Sequence, residues 1–387
     1  MTGNHIKDTI ISVFNIIRCT LILFMGFGVI PFLLQDAFTA SERELYILNL
    51  PTDVLEPIIP EENPLTKGKI HLGEKLFFDK RLSADDTISC ATCHDPEMGF
   101  ADRNILAIGI KGQKGTRNTP TVLNAAFFDT QFWDGRVLTL EEQAKQPLIN
   151  PKEMGMPSHE AVAKKIAGIP EYKDLFKTAF GAEEININHI TRAIASFERT
   201  LNTFQTPFDR FIAGEKDAIN NSAQRGWELF QGKARCITCH EFTPSYPFFT
   251  DNTFHNIGVA MKDKDFDALA RKTSRSDSDP ALLAQEEGSA ELGRYIVTRE
   301  QKDIGAFKTS GLRNIALTAP YMHDGSEPTL ESVVEFYNKG GIPNPNLDGG
   351  IRPLNLSEEE KKDLVEFMKS LTDDNLPGLV TSGEYIY

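Results

Sequence analysis

Cysteine is scarce in this chain and already committed. The 387 residues include five cysteines: Cys90 and Cys93 in one C-x-x-C-H motif, Cys236 and Cys239 in a second, and Cys19 alone near the N-terminus. No pair is left for a disulfide, so a disulfide framework is excluded, although export to an oxidising compartment is tolerated. Basic charge is also in deficit. Lys and Arg number 41 against 55 Asp and Glu, giving a net charge of −14. This excludes a nucleic-acid binder, which needs a basic footprint. It suits a partner with a positive patch, such as a small basic redox protein, and equally serves solubility. With 40% hydrophobic and 25% charged residues, the chain has the balance of a globular protein and no long disordered stretch is expected. Strand-like alternation is rare.

A targeting segment opens the chain. Lys7 and Arg18 precede an uncharged run from Cys19 to Leu34, and polar sequence resumes at Asp36 and Ser41-Glu42. The run falls short of the roughly 20 residues of a membrane span and fits a secretory signal. Cleavage after Ala40 would put bulky Phe38 where a small residue is preferred. Extended back to Ile10, the run is long enough for an uncleaved anchor. Both alternatives stay open for residues 1–40, and Arg18 before Cys19 argues against lipidation.

Helical patterns dominate the rest of the chain. A helix is expected over Thr66 to Phe78, with Leu72, Leu76 and Phe77 inward, leading into the first motif. Ser222 is expected to cap a helix carrying Ala223, Trp227 and Phe230, ending at Gly232 before the second motif. Helix, short loop, C-x-x-C-H thus occurs twice, a two-domain signal. Ile187, Ile190, Ile194, Phe197 and Leu201 keep to helical spacing. Ser357 and Glu360 form a capping box before Leu364, Phe367, Met368 and Leu371. Thr329 is read as the cap of a short helix with Val333, Val334 and Tyr337 on one side, stopped by Gly340-Gly341. Met261 to Leu292 reads as the loosest stretch.

Two thiols at C-x-x-C spacing let a short turn reach both vinyl groups of a porphyrin, and the next residue, His, then points at the iron. Zinc would need a second pair of ligands near each motif, and no further C-x-x-C exists. The motifs therefore imply two covalently bound haem c groups, held by Cys90, Cys93 and His94 and by Cys236, Cys239 and His240. The expected fold is mainly α, with two cytochrome c-like domains joined by long loops. The N-terminal domain spans 41–205 and the C-terminal domain 206–376, with a tail at 377–387. Of the other histidines, His5 lies in the leader, and His71, His159 and His189 read as helix-surface residues.

The surroundings of the motifs resemble the bacterial dihaem cytochrome c peroxidases and the MauG-like enzymes of the same superfamily. The resemblance rests on Leu72-Gly73-Glu74-Lys75-Leu76-Phe77-Phe78-Asp79, Arg117-Asn118-Thr119-Pro120-Thr121, Phe132-Trp133-Asp134-Gly135-Arg136 and Asn150-Pro151-Lys152-Glu153-Met154-Gly155. The second half adds Phe254-His255-Asn256-Ile257-Gly258 and Thr318-Ala319-Pro320-Tyr321-Met322-His323-Asp324-Gly325. It implies that hydrogen peroxide reacts at the haem of His94, while the haem of His240 receives electrons from a small c-type cytochrome or cupredoxin. Glu153, with Gln143 and Pro147 beside it, would form the distal pocket as acid–base group, and Trp133 would lie between the haems, although large aromatics also simply fill cores. The family's distal His position falls at Ile110, which implies a reactive iron left open. Tyr337 falls at the sixth-ligand position of the second haem, where peroxidases have Met and MauG-like enzymes Tyr. Asn118, Thr318 and Pro320 match positions that bind Ca2+ through oxygen. The resemblance further implies a periplasmic protein, soluble or tethered by its N-terminus, and admits a homodimer. The leading expectation is a peroxidase. The rivals are a MauG-like oxidase acting on Trp or Tyr of a partner protein, and a non-enzymatic dihaem electron carrier.

Overall fold

Caps and apolar periodicity place the helices in this computed structural model. It describes residues 44–181, 184–261, 266–274, 278–374 and 376. The expected leader at 1–40, with His5 and Cys19, and the expected tail at 377–387 lie outside the described residues. No helix among the described residues is long and apolar enough to cross a membrane.

Thr66 accepts from the Lys69 N–H and opens α1 (Lys67–Phe78), whose Leu72, Leu76 and Phe77 are fully buried. The first motif forms α2 (Cys90–Cys93). Then come α3 (Leu140–Ile149), α4 (His159–Ala167), α5 (Pro170–Phe180), α6 (Ile187–Glu198) and α7 (Pro207–Ile212). The second half carries α8 (Asn221–Gln231), α9 (Phe266–Ser274), α10 (Pro280–Leu283), α11 (Tyr295–Thr298), α12 (Leu330–Lys339) and α13 (Glu358–Lys369). Among the described residues the one sheet is a two-stranded antiparallel pair, β1 (Phe254–His255) and β2 (Phe307–Lys308), with Phe254 opposite Lys308. The protein is mainly α, as the patterning implied.

Two helix pairs form the frame. α1 crosses α6 at Gly73, where a Cβ would lie 1.9 Å from the Ala193 carbonyl oxygen. α8 crosses α13 at Gly226, where a Cβ would lie 2.0 Å from the Asp363 carbonyl oxygen. In both pairs the next contact is a phenylalanine one turn on, Phe197 or Phe367. The backbones touch, so no side chain other than hydrogen fits.

A second repeat is invisible in the residue string but plain in space. Asn124 (φ 60°) and Asn314 (φ 61°) both adopt the left-handed conformation. Their backbone N–H groups donate to Leu201 O and Leu371 O, each at 2.8 Å. Their side-chain amides both donate to the Thr203 hydroxyl, at 2.9 and 2.8 Å. Past them, Thr139 caps α3 as Thr329 caps α12.

Three larger apolar clusters fill the fold. One gathers residues from Leu65 to Leu201 and, from far along the chain, Leu376. Another runs from Phe208 to Leu371. The third comprises Ala260 to Phe307 and has Trp133 packed against it.

One expectation needs correcting. The cap of α8 is Asn220, which accepts from the Ala223 N–H; Ser222 lies inside the first turn, where its hydroxyl donates to Asp363 on α13. Within Met261 to Leu292, read as the loosest stretch, the described residues Phe266, Ala270, Leu283 and Leu292 are buried in the third cluster. Its helices are too short to declare a period, and tertiary burial holds them.

Gly226→Ala should force the α8–α13 pair apart and lower stability by about 1–3 kcal/mol. Urea denaturation measures this, and an unchanged midpoint would contradict the contact.

Candidate functional site

Each C-x-x-C-H motif is a tight turn whose histidine is locked from behind. The His94 N–H donates to Cys90 O and the His240 N–H to Cys236 O, both at 2.9 Å. His94 Nδ1 lies 3.2 Å from Phe100 O, and His240 Nδ1 lies 3.0 Å from Phe249 O. A carbonyl only accepts, so each Nδ1 carries the hydrogen and each Nε2 keeps a bare lone pair. Burial lowers both imidazoles below their ordinary pKa and keeps them neutral. Neutral imidazole with a free Nε2 is the form that ligates a metal.

The second motif opens on a cavity of about 280 Å³, lined by Cys236, Cys239, His240, Tyr337, Met322 and Met368. The Tyr337 phenol is raised above its ordinary pKa by burial, then by Cys236 and Cys239, and it lines the same cavity as both thiols. Trp133, Asn118, Thr318 and Pro320 line the same cavity. The indole N–H of Trp133 donates to Asn118 O at 3.0 Å. The Asn118 amide nitrogen is spent on Asn104 O at 3.0 Å, leaving its side-chain oxygen for another partner. Beside Trp133, His323 stacks on Phe307 at 3.6 Å between centroids and lies 3.1 Å from Glu291.

His255 bridges two carboxylates, with Nε2 2.8 Å from Asp251 and Nδ1 2.7 Å from Asp348. Its hydrogen bonds, that to Asp251 foremost, push its pKa to about 11. It forms an ion-pairing clamp beside Cys239.

At the first motif Glu153 is pinned from two sides. Asn150 Nδ2 donates to its Oε1 at 2.6 Å, and the Ile110 N–H donates to its backbone carbonyl at 2.8 Å. Burial raises its carboxyl above the ordinary range, against the pull of Arg136 and Asn150. Glu153 is also among the charges that raise the Cys90 and Cys93 thiols, behind burial and behind Glu198 at Cys90 and Asp102 at Cys93. Ile110 is buried and lies over Gly155, where a Cβ would come 2.1 Å from its Cδ1. Pro147 sits within α3, and its carbonyl accepts from Met154 N–H at 3.2 Å, which folds the Glu153 loop back on the helix. Gln143 is half-buried in the first turn of α3, and no hydrogen bond joins it to Glu153 among the described residues.

Arg136, which faces Glu153, is itself held at Asp134. The fully buried Asp134 pairs with Arg117 at 2.6 Å and Arg136 at 3.0 Å. Burial alone would raise its carboxyl, but the two guanidiniums hold it below the ordinary range.

Sequence reasoning missed one group. Glu198, the last residue of α6, is 4% exposed, and its Oε2 has no hydrogen-bond partner. Burial pushes its pKa to about 8. A lone Glu at the end of an amphipathic stretch gives no signal of this.

The family profile described as di-haem cytochrome c peroxidase matches residues 67–217. The chain is 41% identical to methylamine utilization protein MauG of Methylorubrum extorquens, covering 81% of this chain and 80% of that one. It is 37% identical to the cytochrome-c peroxidase IdrP1 of Denitromonas iodatirespirans, covering 85% of this chain and 90% of that one. The crystal structure of a MauG-like protein associated with microbial copper homeostasis superposes with a TM-score of 0.74 at 32% identity, covering 88% and 99% of the two chains.

Asp134→Asn would strand two buried guanidiniums and should cost about 3–5 kcal/mol. Thermal unfolding of the variant tests this, and a loss within error of zero would show the pairs to be dispensable.

Proposed function

The chain belongs to the di-haem cytochrome c peroxidase family, and on that premise we propose that it reduces hydrogen peroxide to water at the first motif. Electrons would enter through the second motif from a small c-type cytochrome or cupredoxin. The residues present fit two haem c groups: paired thiols in each turn, and a neutral, carbonyl-locked histidine with Nε2 free. Cys90, Cys93 and His94 would hold one, and Cys236, Cys239 and His240 the other, in the domains 41–205 and 206–376. When bound, haem supplies an iron that exchanges electrons and, with one face open, binds peroxide.

Glu153 carries the reading. Its buried carboxyl, with Oε1 fixed by Asn150, can take a proton from one peroxide oxygen and return it to the other as the bond breaks. Asn150 orients that carboxyl, and Arg136 limits how far burial raises it. Buried Ile110 offers no atom to block an iron. Trp133, fixed through Asn118, stands at the wall of the second cavity, where an indole can relay an electron. Asn118 Oδ1 with the carbonyls of Thr318 and Pro320 would hold Ca2+, a hard cation that takes oxygen ligands. The compartment is the periplasm, with residues 1–40 as signal or anchor, and a homodimer is the assembly to test.

A second reading has its own observation. Tyr337 lines the same cavity as the second motif's thiols, so a phenolate there would favour the oxidised iron and a MauG-like oxidation of Trp or Tyr in a partner protein. A plain electron carrier leaves Glu153 without a role.

Glu153→Gln should slow peroxide turnover by about 10²–10⁴-fold with both haems retained; steady-state assays with reduced cytochrome c decide it, and unchanged turnover removes the acid–base role. Tyr337→Phe should alter the low-spin haem spectrum, and an identical spectrum would rule Tyr337 out as a ligand.

A further inference from the structure

The duplicated frame lets the two motif sites be compared position by position. Ala193, Phe197 and Leu201 of the first half correspond to Asp363, Phe367 and Leu371 of the second. The first two of each set meet Gly73 or Gly226, and the third accepts from the left-handed asparagine. In that register Glu198 corresponds to Met368. Met368 is buried and lines the cavity of the second motif. An apolar thioether in one copy is therefore a carboxyl in the other.

The carboxyl is not neutralised by a neighbour. Arg199, next to it, spends its guanidinium on Glu141 of α3, at 2.8 and 3.0 Å, and the Arg199 Nε has no partner either. Glu141 is like-charged and also receives the Asn63 amide at 2.7 Å. From α1, Lys69 donates to Asn63 and Pro64, with Arg192 and the Glu141–Arg199 pair as its charged neighbours. From α2 the group facing Glu198 is Cys90, whose thiol it raises, second only to burial. A buried carboxylate with no counter-ion is costly, so Glu198 rests protonated at neutral pH.

We propose that Glu198 is a proton-binding group built into the wall of the first motif, coupling proton uptake to electron uptake there, while Met368 leaves the second motif without one. The inference rests on the haem reading of the two motifs. One electron arriving from the redox donor adds a negative charge to a dry site. Above about pH 8, where Glu198 is ionised in the oxidised site, a solvent proton binding there compensates it, and oxidation releases that proton again. The carboxyl touches no reacting atom; it is a positioning residue that acts through the charge of its neighbour.

The test is spectroelectrochemical titration of both haems in the full-length holoprotein, from neutral to alkaline pH, for wild type and Glu198→Gln. In wild type the potential of the first haem should fall as pH rises, because reduction then loses its compensating proton. In the variant that dependence should be lost, with the second haem unchanged. A slope retained in Glu198→Gln overturns the proposal. Should the variant not fold, the redox difference infrared spectrum of wild type at alkaline pH decides: a protonated-carboxyl band gained on reduction supports the proposal, and its absence overturns it. Absence of two haem spectra would overturn the underlying reading as well, so the two failures are distinguishable.

Discussion

Two points of backbone contact, Gly73 on Ala193 and Gly226 on Asp363, set the dimensions of everything else. Because these helices touch without side chains between them, the aromatic residues on either side have fixed positions. Phe77 and Phe230 then come within 6.4 and 6.5 Å, centroid to centroid, of His94 and His240. The histidines need this packing as much as they need their carbonyl partners. An imidazole free to rotate would lose the tautomer that presents Nε2.

The frame is duplicated, yet the contents of its two sites differ. The first has an aliphatic side chain at Ile110, a pinned acid at Glu153 and a buried carboxyl at Glu198. The second has a phenol at Tyr337 and a thioether at Met368. Such pairing of one scaffold with unequal polarity is how two chemically identical prosthetic groups acquire different tasks. The difference is made in side chains lining the sites, since the supporting hydrogen bonds at Phe100 and Phe249, Leu201 and Leu371 are the same in both halves.

Much of this was legible in the residue string, for physical reasons. The motifs have fixed spacing, and the caps at Thr329 and Ser357 obey local hydrogen-bond rules, so they could be read directly. Glu153, Tyr337 and the Asn118 group were reached only through resemblance, because their meaning depends on what faces them. The carbonyls of Phe100 and Phe249 could not be read at all, since a backbone acceptor leaves no trace in residue type. The Asn124–Asn314 repeat was hidden because its shared elements are φ angles and backbone bonds. Glu198 was hidden for the opposite reason, being conspicuous only once Met368 is seen to occupy its counterpart.

Leu376 is the last described residue, yet it packs into the cluster built by Leu65 to Leu201. A side chain from the end of the second half thus fills a place in the core of the first. Shortening the chain before Leu376 would leave a gap in a core built by residues from the opposite end of the sequence.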